Sequence, residues 1–180
     1  MVDHSLPDGT LAAEWVASPA TSNHHTRIDE DDVTLNISDY VYTTHAEYND
    51  LYTMDSPTLI GNIETIIAWV YAYRAPSGVS NDFKITPYVN GSPLAEKIIP
   101  TGESAAWCSE SWSGLNLDQA DINTLQILFR APSTIPSGKF ILVYALYVEC
   151  IELGWGHKLA GVSNPSKIMG VSSYSKVKGV

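Results

Sequence analysis

A chain of 180 residues, 44% hydrophobic and 17% charged, is long enough for one domain with a proper core and too apolar to stay disordered. Its formal net charge of -10 opposes a nucleic-acid role, which needs a cationic face, and no apolar run approaches the length of a membrane span. Two cysteines, Cys108 and Cys150, are too few for a disulfide framework and are expected as free thiols.

The start of the chain, MVDHSLPDGT, has neither a basic stretch nor an apolar one, so it does not read as a secretory signal and synthesis in a cytoplasm is expected. Residues 1–22, rich in Ala, Ser, Pro and Thr, read as an extended arm anchored by Trp15. A folded domain is expected over residues 23–153. Val33, Leu35 and Ile37 alternate with Thr34 and Asn36, which predicts a half-buried strand. Tyr40, Tyr42, Tyr48 and Tyr52 follow in a polar setting.

Residues 59–74 are strongly apolar, and Ile63, Thr65, Ile67, Trp69, Tyr71 and Tyr73 share one parity. β-Branched and aromatic enrichment favours a strand here over a helix. Phe83, Ile85 and Val89 alternate with Lys84, Thr86 and Tyr88, and Asn90-Gly91 predicts a hairpin turn with positive φ. Pro87 lacks an N–H and predicts an edge or a bulge. The serine-rich stretch from Thr101 to Ser113 reads as loop, LDQAD as one helical turn, and Leu125, Ile127, Phe129 and Ala131 as the apolar face of a further strand. The segment from Phe140 to Val148 carries no charge and reads as a closing strand buried on both faces. Strands separated by turn signals, with no long helix, predict an all-β chain: an antiparallel β-sandwich, in jelly-roll form.

The composition changes after Leu153. Residues 154–180 contain Lys158, Lys167, Lys176 and Lys178 and no acid, and they repeat KLAGV, KIMGV and KVKGV. Units this short cannot build a core of their own and need a surface to lie on. Trp155, Leu159, Val162, Ile168, Val171, Val177 and Val180 are therefore expected as interface anchors, with Lys158, Lys167 and Lys176 meeting acidic patches on a neighbouring copy.

Three further chemistries compete for the domain. Asp29, Asp31 and Asp32 offer oxygen ligands to Ca2+, although a solvated acidic loop is the plainer expectation and no other cofactor is expected. Trp107, Trp112 and the tyrosines from Tyr40 to Tyr52 are candidates for stacking on sugar rings, as in a carbohydrate- or host-receptor-binding module. Catalysis has no local motif behind it, and Glu103 and Glu110 lie in the serine-rich stretch without a visible partner, so no enzyme is expected.

The order of features also resembles a β-sandwich family of structural proteins in tailed bacteriophages and prophages. The matching pieces are Trp15 followed by the IDEDD run at Ile28–Asp32, IGNIETIIAWVYAYRA, the Asn90-Gly91 hairpin, WSGLNLDQADINTLQILFRA, and a closing strand ending VECIEL, with the K-[IVL]-x-G-V tail beyond. The resemblance covers roughly residues 10–153. It implies a non-enzymatic virion component, a head decoration, head fibre, or tail or baseplate protein, that assembles with itself and with other virion proteins.

Overall fold

A strand with one apolar face must bury that face against another layer, and the alternation between Ile63 and Arg130 supplies several such strands. In a computed structural model, which describes residues 2–31, 33–59, 61–75, 83–152, 158–159 and 162–163, they form two antiparallel sheets packed as a sandwich. The strands in chain order are β1 (Val2–Ser5), β2 (Pro7–Ala13), β3 (Val16–Ser18), β4 (Tyr40–Thr43), β5 (Asn49–Met54), β6 (Ile63–Ala75), β7 (Phe83–Val89), β8 (Ser92–Pro93), β9 (Lys97–Ile99), β10 (Ala106–Leu117), β11 (Gln126–Arg130) and β12 (Phe140–Glu152). A single helical turn, α1 (Gln119–Ile122), precedes β11 and is closed by a capping box between Asp118 and Asp121. A separate hairpin, β13 (Lys158–Leu159) with β14 (Val162–Ser163), falls within the repeat tail.

The first sheet has the order β10-β6-β12-β4-β3, with β1 also paired to β12, and the second has β2-β5-β11-β7-β8, with β9 also paired to β7. From β4 onward the strands fall into two sets of four, β4-β12-β6-β10 and β5-β11-β7-β9, which is jelly-roll order. Inward side chains of β6 (Ile66, Ala68, Val70, Ala72) meet Phe83, Ile85, Ile127 and Phe129 of the second sheet. Cys108 and Cys150 are not joined by a disulfide.

Several expectations hold for identifiable reasons. Asn90 and Gly91 have φ of 50° and 70°, which gives the two-residue loop between β7 and β8 its left-handed pair. Pro87 sits where the flanking strand is interrupted between β8 and β9. Its carbonyl accepts from Leu94 N–H on that side, so the missing N–H points into the gap.

Three expectations are corrected. The residues from Val33 to Ile37 form turns and no strand, and Val33 and Ile37 are 83% and 63% exposed. The Asp31 carboxylate accepts from the backbone N–H groups of both Val33 and Thr34, a local capture that competes with ladder pairing. The stretch from Ala106 to Ser113, expected as loop, lies in the twelve-residue β10. Its outward positions are mostly serine, because an edge strand facing water needs no apolar residues there. The arm adds β1 and β3 to one sheet and β2 to the other. Trp15 is its buried anchor, and its indole N–H donates to Tyr48 O at 3.0 Å.

A buried polar network holds that anchor. Asp50, fully buried, accepts from Trp15 N–H at 2.9 Å and from Tyr52 O–H at 2.7 Å, and its Oδ2 lies 2.6 Å from His24 Nδ1. A carboxylate only accepts, so Nδ1 is the protonated nitrogen of His24. Burial, followed by the Asp50 charge, pushes the Tyr52 hydroxyl well above its ordinary range.

Candidate binding face on the outer side of one sheet

In β6 the even positions from Ile66 onward fill the core, so Thr65, Ile67, Trp69, Tyr71 and Tyr73 stand on the outer face of the first sheet. Register places Trp107 of β10 directly beside Tyr71, and Tyr147 of β12 directly beside Trp69. A regular strand would put Tyr144 and Tyr147, three residues apart, on opposite faces. A bulge between Val143 and Ala145 absorbs one residue, so Val143 and Leu146 point inward while Tyr144 and Tyr147 both point out.

The result is a continuous run of aromatic rings across four strands. Trp107 lies 5.3 Å from Tyr71, Tyr71 lies 5.8 Å from Tyr144, and Tyr144 lies 5.8 Å from Tyr40 of β4, all tilted or edge-on. A second line joins Trp107 to Tyr147 at 5.3 Å, and Tyr147 stacks on Trp69 and on His4. Trp69, Tyr71, Tyr73, Trp107, Tyr144 and Tyr40 are each half-buried, so each keeps part of its surface open to solvent. The indole N–H of Trp69 is buried and has no acceptor among the described residues. Burial and the neighbouring phenols of Tyr40, Tyr73 and Tyr71 raise Tyr144 above its ordinary value, which keeps its hydroxyl neutral as both donor and acceptor.

The two ends of the face differ. Toward the end of β12 it turns polar, with Ser109, Ser111 and Ser113 on β10 and with Glu149, whose carboxylate lies 3.6 Å from His4 Nε2. Toward the start of β12 it opens into a groove of about 480 Å³ lined by Val16, Ala17, Ser18, Ala20, Tyr40, Tyr42, Phe140 and Leu142.

The structure separates the two tryptophans paired in the sequence analysis. Trp107 is in the run of rings. Trp112 is 5% exposed, belongs to the core, and donates its indole N–H to Ala95 O, so it presents no open face and is withdrawn as a stacking residue. Among the tyrosines, Tyr40 and Tyr42 line the groove, Tyr48 stacks on His45 in a separate loop, and Tyr52 lies in the core. Sequence reasoning missed Trp69, Tyr71, Tyr73, Tyr144 and Tyr147 as a surface. The signal in β6 was that one parity is aliphatic or small and the other aromatic, which marks two different apolar faces.

The remaining candidates fall elsewhere. Glu110 pairs with Lys97 at 3.3 Å beside β9, and Glu103 is exposed. Asp29 and Asp31 flank Glu30, Asp32 lies outside the described residues, and no cluster of three metal-ligating side chains occurs among the described residues. Slight burial favours a raised Asp31 carboxyl, but its hydrogen bonds from Val33 and Thr34 outweigh this and hold it below the usual range. Burial, then the charges of Asp29 and Asp39, push the Glu30 carboxyl up to about 7, and its Oε2 is buried without a partner among the described residues. In the tail, Lys158, Leu159 and Val162 lie in the β13–β14 hairpin, while Trp155, Lys167, Ile168, Val171, Lys176, Val177 and Val180 lie outside the described residues.

Neither a family model nor a characterised protein matches the sequence. Solved structures similar to the chain include a truncated AlyQ with CBM32 and alginate lyase domains, at 11% identity and a TM-score of 0.49 over 87% of this chain and 36% of that one. The enzymatically active domain of bacteriophage CBA120 tailspike protein 4 matches at 12% identity and a TM-score of 0.45, over 83% of this chain and 19% of that one. CBM35 from Cellvibrio japonicus Abf62 matches at 14% identity and a TM-score of 0.41, over 82% of this chain and 92% of that one. The chain thus spans 36% of the first of these and 19% of the second. The sandwich assignment stands on the strand pairing itself, two antiparallel sheets in jelly-roll order.

Proposed function

We propose that the chain is a non-catalytic binding module that takes carbohydrate on the outer face of its first sheet. The observation that carries this is the run of half-exposed rings from Trp107 through Tyr71 and Tyr144 to Tyr40. A sugar ring has an apolar C–H face that packs on an aromatic face and a rim of hydroxyls that needs donors and acceptors, and tyrosine supplies both in one side chain. The run crosses the strands, so it suits an oligosaccharide better than a single sugar. Titration of the full chain against a panel of soluble polysaccharides tests the proposal. Binding that weakens in Trp107→Ala is expected, and absence of binding to every member would overturn it.

A second reading, assembly within a virion, is favoured by the same face together with the repeat tail. Leu142, Ala145 and Tyr147 make an apolar floor there, of the kind that a neighbouring subunit covers. On this reading the face and the tail anchors Trp155 to Val180 bury each other or a second virion protein. Light-scattering mass of the full chain beside a chain ending at Leu153 separates the two. A multimer that loses its mass on truncation supports tail-driven assembly, whereas a monomer that binds glycan in both forms favours the module.

A further inference from the structure

The groove at the Tyr40 end differs chemically from the rest of the face. Its walls combine the rings of Tyr40, Tyr42 and Phe140 with the aliphatic side chains of Val16, Ala20 and Leu142. Among the described lining residues, Ser18 supplies the only hydroxyl apart from the two tyrosines. Resting on the carbohydrate reading above, we infer that this groove is the terminal subsite of the face and takes a neutral sugar carrying a methyl-bearing substituent, an O-acetyl group or the methyl of a 6-deoxy sugar.

Three observations lead there. Tyr40 is at once the last ring of the run and a wall of the groove, so a glycan lying along the rings arrives at it without changing direction. Its volume of about 480 Å³ is that of a small-molecule site. An unmodified sugar unit brings several hydroxyls, and each one buried against aliphatic walls without a partner loses its hydration uncompensated. A methyl group has no hydration to lose and gains from the same walls. Charge selects in addition. Among the described residues no cationic side chain lines the groove, and Arg27, which donates to Pro19 O between the lining residues Ser18 and Ala20, is paired with Asp39, so a uronate or other acidic sugar finds no free counter-ion on a chain of net charge -10. Val16, 45% exposed on the short outer strand, leaves that side open for the rest of a longer glycan.

The test uses the full chain against neutral glycans presented in pairs, O-acetylated beside saponified and hexose beside 6-deoxyhexose, with polygalacturonate as the acidic member. In one kind of pair the methyl-bearing partner should bind about four-fold more tightly, the effect of burying one methyl-sized group, and that pair identifies the substituent. Ala20→Trp, which fills the groove from an exposed position, and independently Val16→Asp, should remove the difference within that pair. Equal affinities within every pair, with binding still weakened in Trp107→Ala, would overturn the subsite and leave the aromatic face standing. Preference for polygalacturonate would overturn the subsite while leaving the carbohydrate reading standing, and binding to no glycan, neutral or acidic, would overturn both.

Discussion

Replacing each of the two neighbouring tryptophans of β10 by alanine should split stability from recognition. Trp112 is 5% exposed, its ring packs in the core beneath β10, and Lys97 Nζ lies 5.4 Å from the ring centroid. Emptying such a site costs about 3–5 kcal/mol, a large part of the about 5–15 kcal/mol that holds an ordinary domain together. The lost N–H bond adds little, because Ala95 is exposed and water can take its carbonyl. Trp107 is half-buried on the outer face and touches Tyr71 and Tyr147, so Trp107→Ala should cost about 1 kcal/mol of stability through lost ring contacts. Its loss should instead weaken glycan binding by about 1–3 kcal/mol, about 5- to 150-fold in Kd, if sugar stacking is worth what base stacking on aromatic rings is worth. Urea unfolding followed by tryptophan fluorescence and titration with the best ligand of the panel would give both numbers for both variants. A Trp107→Ala protein with unchanged affinity, or a Trp112→Ala protein as stable as the parent, would refute the division of β10 into a binding side and a core side.

Other consequences are equally open to measurement. Asp50→Ala leaves the Trp15 N–H, the His24 Nδ1–H and the Tyr52 O–H buried without their acceptor, at about 1–3 kcal/mol each, so circular dichroism should show little cooperative folding. Tyr52→Phe removes one donor and orphans none, and should cost about 1.5–3 kcal/mol in thermal unfolding. Glu30, with its carboxyl raised to about 7 from 4.5, binds its proton more tightly folded than unfolded. Its contribution is therefore complete below pH 4.5 and is lost as pH rises through 7. Glu30→Gln should flatten stability between pH 5 and pH 8 and gain about 1 kcal/mol at the alkaline end, a figure already reduced for solvent screening. Gly91→Ala should cost about 1 kcal/mol from its φ of +70° alone, since a Cβ there meets nothing within 4 Å.

Much of the sandwich was legible because its signals are local. The Asn90-Gly91 turn, the helical turn at LDQAD and the inward row from Leu125 to Ala131 each rest on a few adjacent residues. The segment at Val33 misled because alternation alone does not decide between a strand and a turn; the competing Asp31 hydrogen bonds decided it. The strand β10 was hidden for the converse reason. Its outward serines carry no strand preference, and its pairing with β6 from Ala106 to Ser113 is a long-range fact. The candidate binding face was legible only in part. Trp107 could be named from its residue type, but the neighbours that make it a surface come from Tyr71, Tyr144 and Tyr147, and two of these share a face only because of the bulge after Val143. No periodicity shows a bulge in advance.

The direction of β12 gives the domain a front and a back. The groove lies by Phe140 and Leu142 at the beginning of that strand, and the tail departs after Glu152 at its other end, about 40 Å away at the rise of an extended chain. A sandwich held by whatever grips the segment beyond Glu152 would stand on its polar end, with Tyr40, Tyr42 and the groove as the most distant part. Attachment and recognition would then not compete for space, and a row of such domains on one support would present a row of grooves outward.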